Sequence, residues 1–197
     1  MQPRRSCVFV LAALLGMSVF FEGAAEGQVV LGRQHRGSEG SAEVGLQAMV
    51  VGSGGSTSDT FLGAVVTVQG GHLRHFSVLF QLGIGAGLGE DPEDPGKTRA
   101  GEQAWVGLGA RLRPLAFLAK APEGLDLFVG PLLGALFNPD LVIFVAAADL
   151  GVAYRFGRLR LSLSAQLGWA DVLHQAMPLA MKAGWCAGGL LSVGYAF

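Results

Sequence analysis

The chain is short of charge, of cysteine and of long apolar runs. Only 15% of its 197 residues are Asp, Glu, Lys or Arg, and the formal net charge is −1. That balance provides no basic surface for a phosphate backbone, so nucleic acid is not an expected partner. There are two cysteines, Cys7 and Cys186. Cys7 falls in an N-terminal segment that reads as a removable leader. Cys186 is then alone, and a disulfide-stapled secreted domain is excluded. On a strand, Cys186 reads as a small packing residue rather than a nucleophile. Away from the N-terminus, Gly, Ser, Gln or a charge interrupts every apolar run before about 18 residues, which excludes a bundle of membrane-spanning helices.

Glycine and apolar residues are abundant instead. Gly numbers 31, about twice the usual share, and mean hydropathy is +0.46. The one long apolar run opens the chain. Arg4 and Arg5 precede an apolar segment from Cys7 to Phe21, and Gly23-Ala24-Ala25 supplies small residues after it. This pattern predicts a secretory signal peptide over residues 1–25, cut after Ala25. Cys7 stands at the start of the apolar segment and follows no lipobox, which speaks against a lipoprotein. Without Arg4, Arg5 and Glu22 the 14 basic and 15 acidic residues fall to 12 and 14, a net charge of −2. Residues 26–42 are polar and Gly-rich, with Arg33, His35 and Arg36, and read as an N-terminal arm.

From residue 43 onward the period is two, the signature of strands. The last seven residues show it best: Leu191, Val193, Tyr195 and Phe197 alternate with Ser192, Gly194 and Ala196. Upstream, Val44, Leu46, Ala48 and Val50 alternate with Gly45, Gln47 and Met49. Leu62, Ala64, Val66 and Val68 alternate with Gly63, Thr67 and Gln69, and Gly70-Gly71 reads as a tight turn. Phe76 to Leu88, Val106 to Leu112, Leu127 to Ala135, Ala146 to Tyr154 and Leu159 to Leu167 continue the pattern. About eight strands result, each near the length that crosses a bilayer at a tilt. Pro131 fits poorly, because Pro has no amide to give a ladder, and an irregular ladder or a bulge is expected there.

The apolar face carries no charge on any of these runs, as lipid contact demands. An Arg or Lys facing lipid at mid-membrane costs about 2–4 kcal/mol. The other face is Gly, Ser, Gln, Arg and Asp, which predicts a polar lumen. Trp169, Trp185, Tyr154, Tyr195, Phe76 and Phe197 fall near strand ends, as interfacial aromatics do. Together with the terminal Tyr195-x-Phe197, these features make residues 43–197 resemble the small bacterial outer-membrane barrels of the OmpA-barrel and OmpX type. The expected fold is all-β, a closed antiparallel transmembrane β-barrel of about eight strands. The resemblance implies that the last strand is read by the barrel assembly machinery, and that outer-membrane lipid and lipopolysaccharide are partners. If Phe197 ends at the periplasm, the segments 53–59, 89–103 and 170–184 face outside, and the connector Pro114–Gly124 is long for the periplasmic side.

Arg111, Arg113, Asp126, Asp149, Arg155 and Arg160 fall on the inward parity of neighbouring strands. A buried charge needs a partner, and an eight-stranded barrel is just wide enough for side chains to fill. These six are read as an ion-pair network plugging the lumen. The alternative, an anion-selective constriction, needs a pore that the strand count hardly allows. His75-Phe76-Ser77 is similar to a His-x-Ser pair of one lipid A deacylase family. The parity that turns Phe76 outward turns His75 and Ser77 inward, away from lipid, so no catalytic residue is assigned. Glu90, Asp91, Glu93 and Asp94 form an acidic patch without cation-loop spacing, and His174 has no ligand-spaced partner. Gly83-x-Gly85-x-Gly87 lies within a strand with no helix after it, so it is no nucleotide loop. No metal site and no cofactor is expected. The primary reading is a non-enzymatic structural or surface-interaction protein. The alternatives are a narrow porin-like channel, a lipid-modifying enzyme and a soluble secreted barrel.

Overall fold

The computed structural model describes residues 40–53, 58–73, 75–90, 98–118, 124–138, 141–175 and 184–197. They form β1 (Ser41–Ser53), β2 (Ser58–Leu73), β3 (Phe76–Glu90), β4 (Thr98–Leu112), β5 (Leu125–Phe137), β6 (Leu141–Phe156), β7 (Leu159–Gln175) and β8 (Gly184–Ala196). A single turn of 3-10 helix, Pro114–Phe117, follows β4. Consecutive strands pair antiparallel and β1 also pairs with β8, so the sheet closes into a barrel in sequence order. Lipid offers no hydrogen bonds to a free strand edge, and closure leaves none. At the closing seam the register runs from Ser41↔Ala196 to Ser53↔Gly184. It finishes in a reciprocal pair at one rim, Gly40 N to Phe197 O (3.0 Å) and Phe197 N to Gly40 O (2.9 Å). We call this the terminal rim and the opposite one the far rim. The expected leader (1–25), most of the arm, the acidic residues Asp91, Glu93 and Asp94, and the side chains of Glu90 and His174 lie outside the described residues.

The outward face is the one read from the sequence. Leu46, Leu62, Ile84, Leu108, Leu163 and Leu191 are each more than half exposed. The six aromatics form two belts. Trp169 and Trp185 pair across β7 and β8 toward the far rim. Phe76, Tyr154, Tyr195 and Phe197 lie toward the terminal rim, all exposed.

Two expectations about boundaries need correction. Gly70-Gly71 is not a turn: β2 runs through both glycines to Leu73, and a register shift between Gly70 and Leu73 absorbs them. The hairpins are also longer than the alternation implied. β3 reaches Glu90, β4 starts at Thr98 and β7 reaches Gln175. Beyond the bilayer no lipid demands a greasy face, so the strands continue without the pattern; Glu102 there sits on the outward face and is exposed. At Pro131 the expected irregularity is present, as a gap in one ladder and not as a bulge. The β5–β6 ladder is unbroken from Leu125↔Tyr154 to Phe137↔Val142, so the missing proline amide falls on the β4 side. There the pairing lapses between Gly109↔Leu132 and Leu112↔Val129 and resumes in the same register.

A lipid-facing charge tests which face meets the bilayer. Leu108→Arg should destabilise the vesicle-folded barrel by about 2–4 kcal/mol, read from denaturant titration. A loss well below that range would mean that Leu108 does not meet hydrocarbon.

Candidate functional site

The inward-facing side chains fill the lumen in two tiers. The tier next to the terminal rim is ionic, and its geometry follows from strand parity. On β4, Arg111 points inward; its Nε lies 2.8 Å from Asp149 Oδ2 of β6, with both groups buried. The same guanidinium donates from Nη1 to Gln69 Oε1 of β2 at 2.9 Å and lies 3.9 Å above the Phe128 ring of β5. Closer to the rim, Asp126 of β5 sits between Arg113 Nε at 3.5 Å and Arg160 Nη2 at 3.1 Å. Arg160 Nε lies 3.1 Å from Glu43 Oε1 of β1. Three guanidinium groups thus face three carboxylates, which is how charge is accommodated in a low-dielectric interior.

Glu43 had no place in the sequence-derived set. It is buried and holds the seam. Its Oε1 accepts from Ser41 Oγ at 2.8 Å, and its Oε2 accepts from Ser162 Oγ of β7 and Ser192 Oγ of β8, each at 2.6 Å. The signal was available: Glu43 has inward parity at the first position of the first run. Of the six residues read as a network, five lie in these pairs. Arg155 turns to the rim, where its Nε donates to Gly157 O at 2.7 Å.

The far tier departs from the expected polar lumen. Met49, Val51, Phe61, Val65, Trp105, Leu132, Leu136, Ile143, Val145, Cys186 and Leu190 point inward and form one buried apolar cluster. Trp105 anchors it, fully buried, with Nε1 donating to Gln81 Oε1 at 3.1 Å. Its ring lies over Gly134, where a Cβ would overlap it. An interior packed by large side chains holds no bulk water, so its walls need not be polar. Between the tiers, Gln47 Nε2 donates to Gln166 Oε1 at 2.7 Å. Above the apolar tier, Asp59 accepts from Gln103 Nε2 at 2.9 and 3.1 Å.

Ser77 is buried on β3, but its Oγ has no hydrogen-bond partner, and His75 instead stacks on Phe117 with ring centroids 4.1 Å apart. Among the described residues no group of three His, Cys, Asp or Glu side chains is arranged to hold a metal ion. Leu191, Val193, Tyr195 and Phe197 all face outward and are about half exposed.

A closed eight-stranded antiparallel barrel with a greasy, aromatic-belted exterior and a filled interior is the fold of the small outer-membrane β-barrel proteins. No protein-family model matches the chain, and no curated protein sequence does. Solved structures share its fold. Ail, the attachment invasion locus protein of Yersinia pestis, solved with the heparin analogue sucrose octasulfate, superposes with a TM-score of 0.50 at 13% identity, over 82% of this chain and 99% of Ail. OprG of Pseudomonas aeruginosa superposes with a TM-score of 0.54 at 11% identity, over 83% of this chain and 97% of OprG.

Removing Glu43 leaves Arg160 and Arg113 to share Asp126, one carboxylate for two guanidinium groups. Glu43→Ala should cost about 3–5 kcal/mol, because breaking a buried pair leaves one charge uncompensated. The double variant Glu43→Ala/Arg160→Ala should lose clearly less than the sum of the singles. Strict additivity in unfolding titrations would show that the two groups do not couple.

Proposed function

We propose that this protein is a non-conducting, non-enzymatic barrel whose role is structural or surface-interacting. The observation that carries this reading is the two-tier filling of the lumen. Trp105 and its apolar neighbours occupy the far half, and the Glu43–Arg160–Asp126–Arg113 and Arg111–Asp149 pairs occupy the terminal half. A solute crossing the barrel would have to displace both. The reading takes the terminal rim as periplasmic, residues 1–25 as a cleaved leader, the assembly machinery as a partner during insertion, and lipopolysaccharide as the outer-leaflet partner. The far rim then meets the surroundings. Ail supplies a precedent for the fold, since it is a barrel of this kind solved with a sulfated sugar.

Planar bilayers decide between plug and pore. The wild-type protein should give no steady openings on the nanosiemens scale, and sustained ones would defeat the reading. Trp105→Gly combined with Phe61→Ala, which empties only the far tier, should by itself give no steady openings, because the ionic tier still fills the terminal half. For the enzymatic alternative, lipid A from overexpressing cells should keep its mass. A change abolished by Ser77→Ala would overturn the non-enzymatic assignment.

A further inference from the structure

The connector after β4 is longer than a hairpin at the terminal rim requires, and it carries large apolar side chains with no place in the barrel. Its 3-10 turn, Pro114–Phe117, buries none of its residues. Phe117 and Leu118 are 63% and 57% exposed. The turn is nevertheless held in place. Arg113 N donates to His75 O at 2.8 Å, Ala116 N to Arg113 O at 3.1 Å, and Leu118 N to Leu115 O at 3.1 Å. Phe117 stacks on His75 with ring planes 13° apart. His75 precedes Phe76, which faces outward and pairs with the equally outward Leu112. The connector therefore leaves the barrel beside Leu112 and Phe76, which face lipid, while the stack on His75 fixes Phe117 at the rim.

Elsewhere on the same rim the side chains are those of a membrane–water boundary. Arg158, in the β6–β7 turn, donates from Nη1 to Tyr195 Oη at 2.5 Å. Tyr154 packs on Phe156 with centroids 4.5 Å apart. Aromatic rings with polar tips beside a cation settle at headgroup depth. Phe117 and Leu118 lie just beyond a strand end on this rim, as Arg158 does. Two bulky apolar groups held at that level bury apolar area by entering the headgroup–acyl boundary.

We propose that the β4–β5 connector is an interfacial foot, which seats Phe117 and Leu118 in the phospholipid leaflet at the terminal rim. The leaflet's identity as the periplasmic one rests on the orientation proposed above, but the seating itself does not. The foot would set how deep the barrel sits and oppose its tilting.

The test uses the mature chain folded into phosphatidylcholine/phosphatidylglycerol nanodiscs. A nitroxide is placed by Phe117→Cys or Leu118→Cys in a Cys186→Ala background. Collision with oxygen should exceed collision with a water-soluble nickel complex several-fold, at a depth like that of a label at Phe76→Cys. Nickel accessibility equal to that of the urea-unfolded labelled chain would overturn the proposal. So would low collision with both reagents, the mark of burial against protein. Should loss of the His75 stack prevent Phe117→Cys from folding, Leu118→Cys decides alone, because it leaves that stack intact. The bilayer is symmetric, so a wrong orientation cannot produce failure here. Protease accessibility of the far-rim segments on whole cells reports orientation separately.

Discussion

A strand in hydrocarbon has nothing to bond to but another strand, and every other feature of this protein follows from that. The sheet has to close, and closure joins the two ends of the barrel segment, β1 and β8, along their whole length. Once closed, each strand has one face committed to lipid and one to the lumen. The outward face admits no charge over the bilayer. Any polarity on the strands is forced inward, where a narrow interior requires it to be paired. Glu43 sits where these demands meet: it is on the seam, inside, and bonded to Ser41 of its own strand, Ser162 of β7 and Ser192 of β8.

The interior answers the demand for filling differently at its two ends. In the terminal half, three carboxylates and three guanidinium groups neutralise one another, and Phe128 stacks against Arg111. In the far half, large apolar side chains pack as they do in a soluble core. An ion pair without alternatives ties particular strands to one another in a particular register. An apolar core fills volume but discriminates less between registers. The ionic tier lies beside the seam end, where register must be settled for the barrel to close.

The outward face was legible because lipid imposes one rule on every strand. Leu46, Leu108, Leu163 and Leu191 obey it, and their period of two survives any uncertainty about turns. The inward face was legible only where it is polar. On β5, Leu132 and Leu136 point inward while Leu133 points outward. Both parities carry leucine there, so alternation cannot reveal an apolar tier. Arg111, Asp126, Asp149 and Arg160 stood out because a charge has few places to go, whereas Glu43 was lost at the edge of a run. Strand ends were misjudged for a related reason. Beyond the bilayer neither lipid nor lumen constrains the side chains, and β3, β4 and β7 extend without a periodic signal.

The reciprocal hydrogen bonds between Gly40 and Phe197, with Ala196 N donating to Arg158 O at 2.8 Å, occupy the backbone at the very end of the chain. With β7 on one side and β1 on the other, β8 has no edge left to offer. Any factor that recognises its backbone has access only while the cylinder is open. Afterwards the same residues present nothing but side chains to lipid. The backbone of β8 is thus open to pairing before closure and fully paired after it, so the open and closed states differ at this strand itself.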